Sequence, residues 1–214
     1  MTENKNKIFQ VTLLRHGESV GNAESRWQGQ SDYPLTDRGR SQAKALAERW
    51  KREKMKFDYV ISSPLSRARE TAEIIASKLE LSLEFEPLWL ERDNGEFSGL
   101  TAHEVRHNFQ HPDFTTPYDP VGNDGEGDWE LFLRAGQALH DLLKRDPARY
   151  LIVSHGGLLN QVMHAIVGIV PQANNAGTRF RFGNTAFAQL LYFPNQHRWA
   201  IDKVNDHAHW ADAE

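Results

Sequence analysis

Short apolar runs alternate with amphipathic segments along most of the chain. Four apolar runs are bounded by polar or turn-forming residues and are predicted to be strands, at 8–14, 58–62, 83–85 and 150–154. Apolar residues recur at helical spacing in the segments 36–54, 63–79, 128–143 and 158–166. This alternation predicts an α/β fold in which helices cover both faces of a mostly parallel sheet, a three-layer αβα sandwich.

Two regions depart from the regular alternation. Residues 186–193 and 198–204 are typical of an antiparallel hairpin at a sheet edge, which makes the sheet mixed. Between 93 and 128 the periodicity is lost, and one polar helix is predicted near 101–110 among prolines and glycines. We expect the segment 93–128 to be a cap inserted into a single domain that spans 1–214.

Polar residues mark the predicted helix starts. Thr36 and Asp128 can each cap a helix with a side-chain oxygen. Ser63 followed by Pro64 predicts an N-cap and a first-turn proline, which places Arg67 one turn into its helix.

Composition narrows the classes of protein that fit this pattern. The chain has 25 Lys and Arg against 29 Asp and Glu, so neither nucleic acid nor an anionic membrane is an expected partner. Its longest apolar stretch falls short of the roughly 18 residues that cross a bilayer, and the first residues lack the apolar core of a secretion signal, so we expect a cytoplasmic protein. The absence of cysteine excludes disulfides, Cys-ligated zinc and thiol nucleophiles, and ten histidines remain as candidates for chemistry.

Two histidines occupy matching positions in the pattern. His16 and His155 each come directly after a predicted strand and before a glycine, in VTLLRHG and YLIVSHG. Residues past the carboxyl ends of parallel strands line the ligand crevice of an α/β sheet, so we expect these two histidines to meet there. Arg15 lies beside the first histidine and Arg67 near a helix N-terminus, a combination that favours a phosphate ligand.

A histidine in such surroundings has a defined chemical use. Adjacent positive charge disfavours imidazolium, so His16 is expected to be neutral and nucleophilic at pH 7. A neutral imidazole can accept a phosphoryl group covalently, and the leaving alkoxide then needs a proton. Glu91, beyond the third predicted strand, is the best-placed acid.

An ordered set of motifs resembles a known family. Arg15-His16-Gly17-Glu18-Ser19 with Asn22 matches the RHG-(E/Q)-(S/T)-x-x-N signature of the histidine phosphatase superfamily, the phosphoglycerate-mutase-like proteins. The remaining motifs follow in the family's order, over about residues 8–205: Gln28-Gly29, Pro34-Leu35-Thr36 with Gly39, Ser62-Ser63-Pro64 before Arg67-Ala68, Leu90-Glu91 with Gly95 and Gly99, and Ser154-His155-Gly156-Gly157.

The resemblance implies a role for each matching residue. His16 would be the phosphohistidine nucleophile, and Glu91 the proton donor that later activates water. Arg15, Arg67 and His155 would hold the phosphoryl group. Further substrate contacts would come from Asn22, Gln28, Gly29, Arg92 and Gly156. The family uses no metal, so neither a metal nor another cofactor is expected.

Two departures from the family bear on the reaction. Mutases of this family usually follow the acid with Arg-His-Tyr-Gly, whereas here Glu91-Arg92 precedes Asp93-Asn94-Gly95, and the cap is shorter. These differences favour a phosphomonoester hydrolase for small phosphorylated metabolites over the alternative, a phosphoglycerate mutase that needs 2,3-bisphosphoglycerate as cofactor.

A zinc peptidase is a more distant alternative. His103-Glu104 and His107 form an HExxH motif, and Glu126 follows at the spacing of a third zinc ligand. The polar surroundings of this helix, and the prolines and glycines before Glu126, instead favour an exposed face made by His103, His107 and His111. No metal is expected there either.

A second distant alternative is a phospho-ligand binding module without turnover. The complete set of His16, Glu91 and His155 favours an enzyme with a small phosphorylated substrate. The sequence leaves monomer and homodimer both open. At the C-terminus, His207-Ala208-His209 is expected to be a solvated tail.

Overall fold

The computed structural model describes residues 8–110 and 112–213 and confirms the α/β fold. Its sheet contains β1 (Phe9–Arg15), β2 (Tyr59–Ser62), β3 (Leu83–Phe85), β4 (Arg149–Ser154), β5 (Phe187–Phe193) and β6 (Arg198–Asp206). The strand order is β3-β2-β4-β1-β5-β6. Strands β1 to β4 are parallel, whereas β5 is antiparallel to β1 and β6 to β5. The predicted edge hairpin and the mixed sheet are therefore confirmed.

Helices cover both faces of the sheet. The α-helices of the described residues are α1 (Val20–Ala23), α2 (Asp37–Arg52), α3 (Ser66–Leu79), α4 (Ala102–Asn108), α5 (Asp128–Leu143) and α6 (Gly156–Val167). Side chains of β4 alternate between two cores, with Leu151 and Val153 packing toward α2 and α3, and Tyr150 and Ile152 toward α5 and α6. This buries β4 and its neighbour β1 at the centre of the sheet, where their carboxyl ends lie side by side.

Two of the three predicted helix caps are wrong. Thr36 caps α2 as predicted, accepting a hydrogen bond from the Gly39 amide at 3.0 Å. Helix α3 begins at Ser66 with Leu65 as its N-cap, so Arg67 is its second residue rather than one turn inside. Asp128 is the first residue of α5 instead of its cap. In both cases the predicted capping side chain instead contacts a residue distant in sequence, Ser63 with His155 and Asp128 with Arg92.

The two ends of the segment 93–128 lie close together. The Glu126 amide donates to the Asp93 carbonyl at 2.8 Å, which joins the two ends of the segment. Gly95 has a φ of +51°, and a Cβ there would come within 2.5 Å of the Gly125 nitrogen, so only glycine fits. The segment also pairs with the loop after α1, where the Trp27 amide donates to the Leu100 carbonyl at 2.8 Å.

The C-terminal segment is not the predicted solvated tail. His209 is 1% exposed, and its Nε2 lies 2.8 Å from the Thr185 hydroxyl. Asp206, at the end of β6, forms an ion pair with Arg49 of α2 at 2.5 Å, which holds the segment against the molecule. Only the tertiary structure brings these partners together.

Among the described residues, no helix combines the length and apolar character needed to cross a membrane.

Candidate active site

His16 lies just past the end of β1 and is 2% exposed. Its Nδ1 is 2.7 Å from the carbonyl oxygen of Gly17. A carbonyl only accepts hydrogen bonds, so we assign the proton of the neutral ring to Nδ1. The lone pair of Nε2 is then available for reaction.

His155 lies beside His16, as the sequence predicts. It follows β4, the parallel neighbour of β1, and the centroids of the two imidazole rings are 5.1 Å apart. The Nε2 atom of His155 shares a 2.8 Å hydrogen bond with the hydroxyl of Ser63, the residue predicted to cap α3. Its Nδ1 is buried and has no hydrogen-bond partner among the described residues.

The two predicted arginines flank the histidines. Arg15 donates from Nη1 to the Phe182 carbonyl at 2.8 Å. Arg67, 1% exposed, donates to the carbonyls of Ser31 and Gly29 at 2.9 and 2.7 Å. In each guanidinium the Nε atom is buried without a partner among the described residues. These carbonyls fix the orientation of the guanidiniums and leave donors unused.

Burial and charge keep the histidines neutral. Burial lowers the pKa of His16 well below 6.5, and the positive charges of Arg67 and Arg15 lower it further. Burial likewise lowers the pKa of His155, with Arg67 adding to the effect. Burial also lowers the pKa of Arg67 to about 10, against the opposing charge of Glu91, so its guanidinium is still cationic at neutral pH.

Glu91 is held by the N-terminus of α6. Its Oε2 accepts from the Gly157 amide at 3.0 Å, and its Oε1 from the amides of Leu158 and Arg92 at 3.0 and 2.9 Å. The first amides of a helix have no acceptor within the helix, and the two oxygens of Glu91 supply acceptors from outside it. A Cβ on Gly157 would lie 2.6 Å from Oε1 of Glu91, so the close approach requires glycine.

Arg134 fixes the chain that carries Glu91, and sequence reasoning missed it. Its guanidinium donates to the carbonyls of Leu88, Leu90 and Glu91 at 3.1, 2.7 and 3.1 Å, and it pairs with Glu126 at 2.6 Å. It lies on the face of α5 that is otherwise apolar. A lone arginine on an apolar helix face is the signal that could have identified it.

The other predicted contact residues also border the site. The side-chain oxygen of Asn22 accepts from Asn184 at 3.0 Å, and that of Gln28 from Ser19 at 2.7 Å, which leaves their amide NH2 groups as donors. Gly29 has a φ of +54° and contributes its carbonyl to Arg67. Asn184, also missed from the sequence, donates to the His16 carbonyl at 3.2 Å.

Gly156 and Arg92, the remaining two predicted contact residues, differ in whether they are free to bind a ligand. Gly156 lines the cavity at the start of α6. Arg92 also lines the cavity, but its guanidinium forms an ion pair with Asp128. This pair explains why Asp128 does not cap α5, because its carboxylate is directed to a cation. The Glu130 carboxylate accepts from the amide of Gly127, the N-cap residue, at 2.9 Å.

A cavity of about 860 Å³ opens over His16. Nine of the predicted site residues line it: Arg15, His16, Asn22, Gln28, Gly29, Arg67, Glu91, Arg92 and Gly156. His155 is fully buried beside His16. Among the lining residues that the structure describes, six are arginine and Glu91 alone is acidic. The size and charge fit a small anionic ligand.

The side chains of the zinc alternative are engaged elsewhere. Glu104 closes the capping box of α4 with Thr101, and Glu126 pairs with Arg134. His103 and His107 are exposed on one face with ring centroids 6.3 Å apart, as predicted, while His111 lies outside the described residues. Within 8–110 and 112–213, no three potential metal ligands converge.

Known proteins resemble the chain in sequence and in fold. The family model of the histidine phosphatase superfamily (branch 1) matches residues 11–207. The "Probable phosphoglycerate mutase GpmB" of Enterobacter sp. (strain 638) is 33% identical over 211 residues, which cover 94% of this chain and 95% of that protein.

Solved structures with the same fold include proteins from two bacterial groups. YhfR of Bacillus stearothermophilus superposes with a TM-score of 0.80 at 26% identity, covering 94% of this chain and 99% of that one. A mycobacterial glucosyl-3-phosphoglycerate phosphatase superposes with a TM-score of 0.78 at 26% identity, covering 93% and 99%. With two histidines and two arginines at the carboxyl ends of adjacent strands and a family match over most of its length, this chain belongs to the histidine phosphatase superfamily.

Proposed function

We propose that the protein is a phosphomonoester hydrolase that acts on small phosphorylated metabolites through a phosphohistidine at His16. The observation that carries this proposal is a set of buried polar atoms beside His16 without partners among the described residues: Nε of Arg15, Nε of Arg67 and Nδ1 of His155. Buried polar groups in native proteins are nearly always hydrogen-bonded. A phosphoryl group is an anion whose oxygens can satisfy several donors at once.

The proposed reaction has two steps. Nε2 of His16 bonds to phosphorus as the P–O ester bond breaks, and the leaving alkoxide takes a proton from the Glu91 carboxyl group. Glu91, now a carboxylate, then takes a proton from water, whose oxygen bonds to phosphorus as the P–N bond breaks. Inorganic phosphate and neutral His16 result. The hydrogen bond from Nδ1 to the Gly17 carbonyl stabilises the positive charge that develops on the ring.

Hydrolysis is favoured over mutase activity by the residues after Glu91. Asp93-Asn94-Gly95 lacks the aromatic residue of the mutase motif, and the charge of Arg92 is already paired with Asp128. The phosphatase name of one structural neighbour agrees with this choice. Some relatives are named for phosphoglycerate mutase, so mutase activity needs a direct test. The assay combines 3-phosphoglycerate with 2,3-bisphosphoglycerate. Release of phosphate supports the hydrolase, whereas formation of 2-phosphoglycerate identifies a mutase.

The central experiment is trapping of the intermediate. Wild-type protein quenched during turnover of a labelled phosphomonoester should carry acid-labile phosphate, and His16→Ala should carry none. His140→Ala, which changes an exposed histidine of α5, is the matched control and should label as wild type does. Labelling that survives His16→Ala would refute the assignment.

Two inhibitors separate the remaining alternatives. The proposal needs no metal or organic cofactor, because guanidiniums supply the positive charge, so a chelator should leave activity unchanged and vanadate should inhibit. A zinc peptidase would show the opposite response to the chelator. A phospho-ligand binding module would bind vanadate without hydrolysing an aryl phosphate.

A further inference from the structure

Two arginines of the cavity have side chains without a partner among the described residues. Arg179 and Arg181 lie on the segment before β5, line the cavity and are exposed. Neither side chain forms a hydrogen bond or an ion pair with another described residue. Neither arginine has a part in the reaction proposed above.

The other arginines of the cavity are already engaged. Arg15, Arg67 and Arg26 each donate to main-chain carbonyls, and Arg92 pairs with Asp128. Arg179 and Arg181 are therefore the two guanidiniums of the described lining that have all their donors available to a ligand. Glu91, the acidic residue of that lining, is itself bound by the amides at the start of α6.

The segment that carries these arginines is anchored through its phenylalanines. The Phe180 amide donates to Oδ1 of Asn160 at 2.8 Å, and the ring packs against the core on the α5 and α6 side. Phe182 is buried, and its carbonyl accepts from Arg15 at 2.8 Å. Arg179 and Arg181 alternate with these anchored phenylalanines, and all four residues border the cavity, so the segment holds the two exposed arginines at the cavity wall.

This anchoring links the two arginines to the phosphoryl site. Arg15, which lowers the pKa of His16, is bonded to the residue directly after Arg181. A ligand with its phosphate at His16 can therefore extend along the same wall of the cavity to Arg179 and Arg181. Guanidiniums suit this role because their planar fork matches the oxygens of a carboxylate or a phosphate.

We propose that Arg179 and Arg181 form a second anion subsite, and that preferred substrates carry a carboxylate or a second phosphate besides the phosphate that is cleaved. The inference rests on the proposed function, because it takes the site at His16 as the one that binds the substrate's phosphate. It adds a requirement that hydrolysis alone does not impose.

Matched substrate pairs test the subsite. Glycerol 3-phosphate and 3-phosphoglycerate differ by one carboxylate, while fructose 6-phosphate and fructose 1,6-bisphosphate differ by one phosphate. We expect kcat/KM to favour the more anionic member of at least one pair by about tenfold or more, as hydrogen bonds to charged groups allow. A preference in the first pair identifies a carboxylate site and one in the second a phosphate site.

Variants assign the preference to the two arginines. In Arg179→Gln/Arg181→Gln the ratio of kcat/KM within the preferred pair should fall toward one. Arg106→Gln, which removes the charge of an exposed arginine of α4 outside the cavity, should keep the ratio. These rates should be measured at 0.15 M salt or above, where the Debye length is about 8 Å and long-range attraction between protein and substrate charges is screened. Equal rates within both wild-type pairs, or a preference that survives the double substitution, would overturn the subsite.

A binding measurement separates this proposal from the proposed function. Phosphonate analogues of 3-phosphoglycerate and glycerol 3-phosphate, and of the two fructose phosphates, cannot be hydrolysed, so calorimetry with wild-type protein reports affinity alone. The trapping experiment with His16→Ala decides the proposed function, whether or not these four esters are hydrolysed. The affinities of the phosphonates still decide the subsite, which requires tighter binding of the more anionic analogue in a pair and loss of that difference in the double variant.

Discussion

At the scale of single residues, three neighbours control the protonation of His16. The Gly17 carbonyl fixes the proton on Nδ1, while Arg67 and Arg15 resist a second proton on the ring. Burial acts in the same direction as the arginines because an imidazolium is poorly solvated in the interior. The ring is therefore held neutral in one orientation before any ligand binds.

The first prediction concerns the protonation of this ring. Because the pKa of His16 lies well below 6.5, the neutral form should persist as the pH falls through 6.5, where free histidine becomes protonated. Nuclear magnetic resonance of protein labelled in its histidine rings measures this directly, with His16→Ala used to assign the signal. Titration of His16 together with free histidine would contradict the prediction.

The second prediction concerns the acid. An alkoxide leaving group needs a proton from Glu91, whereas an aryl oxide leaves without one. Glu91→Gln should therefore reduce kcat for an alkyl phosphate by about a hundredfold or more, and for an aryl phosphate by much less in the first step. Burst kinetics with the aryl substrate isolates that step. Equal losses for both substrates in the burst would exclude Glu91 as the acid.

At the scale of elements, the N-terminus of α6 binds a side chain of the protein itself. Its first amides resemble a phosphate site, yet the structure directs those of Gly157 and Leu158 to Glu91. Arg134 of α5 completes the arrangement from the other side by binding three carbonyls of the segment 88–91. The carboxyl group of Glu91 is thus positioned by two helices, neither of which contains Glu91.

The third prediction tests this positioning with two glycine substitutions. Gly157→Ala places a methyl group 2.6 Å from Oε1 of Glu91 and should reduce kcat about tenfold to a hundredfold by displacing the carboxylate. Gly136→Ala, within α5, meets open space and should raise the free energy of unfolding by about 0.5–1 kcal/mol with activity unchanged. Denaturant unfolding and steady-state kinetics of both variants provide the comparison. Full activity in Gly157→Ala would count against the contact.

At the scale of the whole molecule, the C-terminal segment supports the loop behind His16. Trp210 donates to the Asn184 carbonyl at 2.8 Å, and the Thr185 amide lies 3.1 Å from the carbonyl of Arg15. The ion pair between Arg49 and Asp206 secures the end of β6 that leads into this segment. The first and last parts of the chain therefore meet beside the site.

The fourth prediction concerns stability in acid. Burial lowers the pKa of His209 to about 4, below its unfolded value of about 6.5, so only the unfolded chain binds a proton in between. The contribution of His209 to stability is complete above pH 6.5 and is lost as the pH falls toward 4. Bonding to Arg49 lowers the pKa of Asp206 to about 2, which extends the loss below pH 4.

Thermal unfolding at several pH values measures this effect. Between pH 6.5 and 4, Tm should fall less steeply for His209→Asn than for wild type. His140→Asn, which changes an exposed residue, should follow the wild-type slope. Identical slopes for wild type and His209→Asn would show that His209 does not contribute.

Local patterns were sufficient for the fold class and the centre of the site. Apolar runs of strand length and helical spacing do not depend on distant partners, so the sheet, its helices and the edge hairpin were predictable. The meeting of His16 and His155 was predictable as well, because parallel strands bring their carboxyl ends to one edge whatever the chain between them.

The partners of individual side chains were decided only by the tertiary structure. Ser63 and Asp128 look like helix caps in sequence, yet one bonds His155 and the other Arg92. His209 looks like part of a solvated tail in sequence, but its ring is buried and shares a hydrogen bond with the Thr185 hydroxyl. Polar side chains bond whichever complementary group folding brings within about 3 Å, and sequence spacing does not encode that distance. The sequence alone therefore determined the fold class and which residues meet at the centre of the site, and the fold decided how each group is oriented and held.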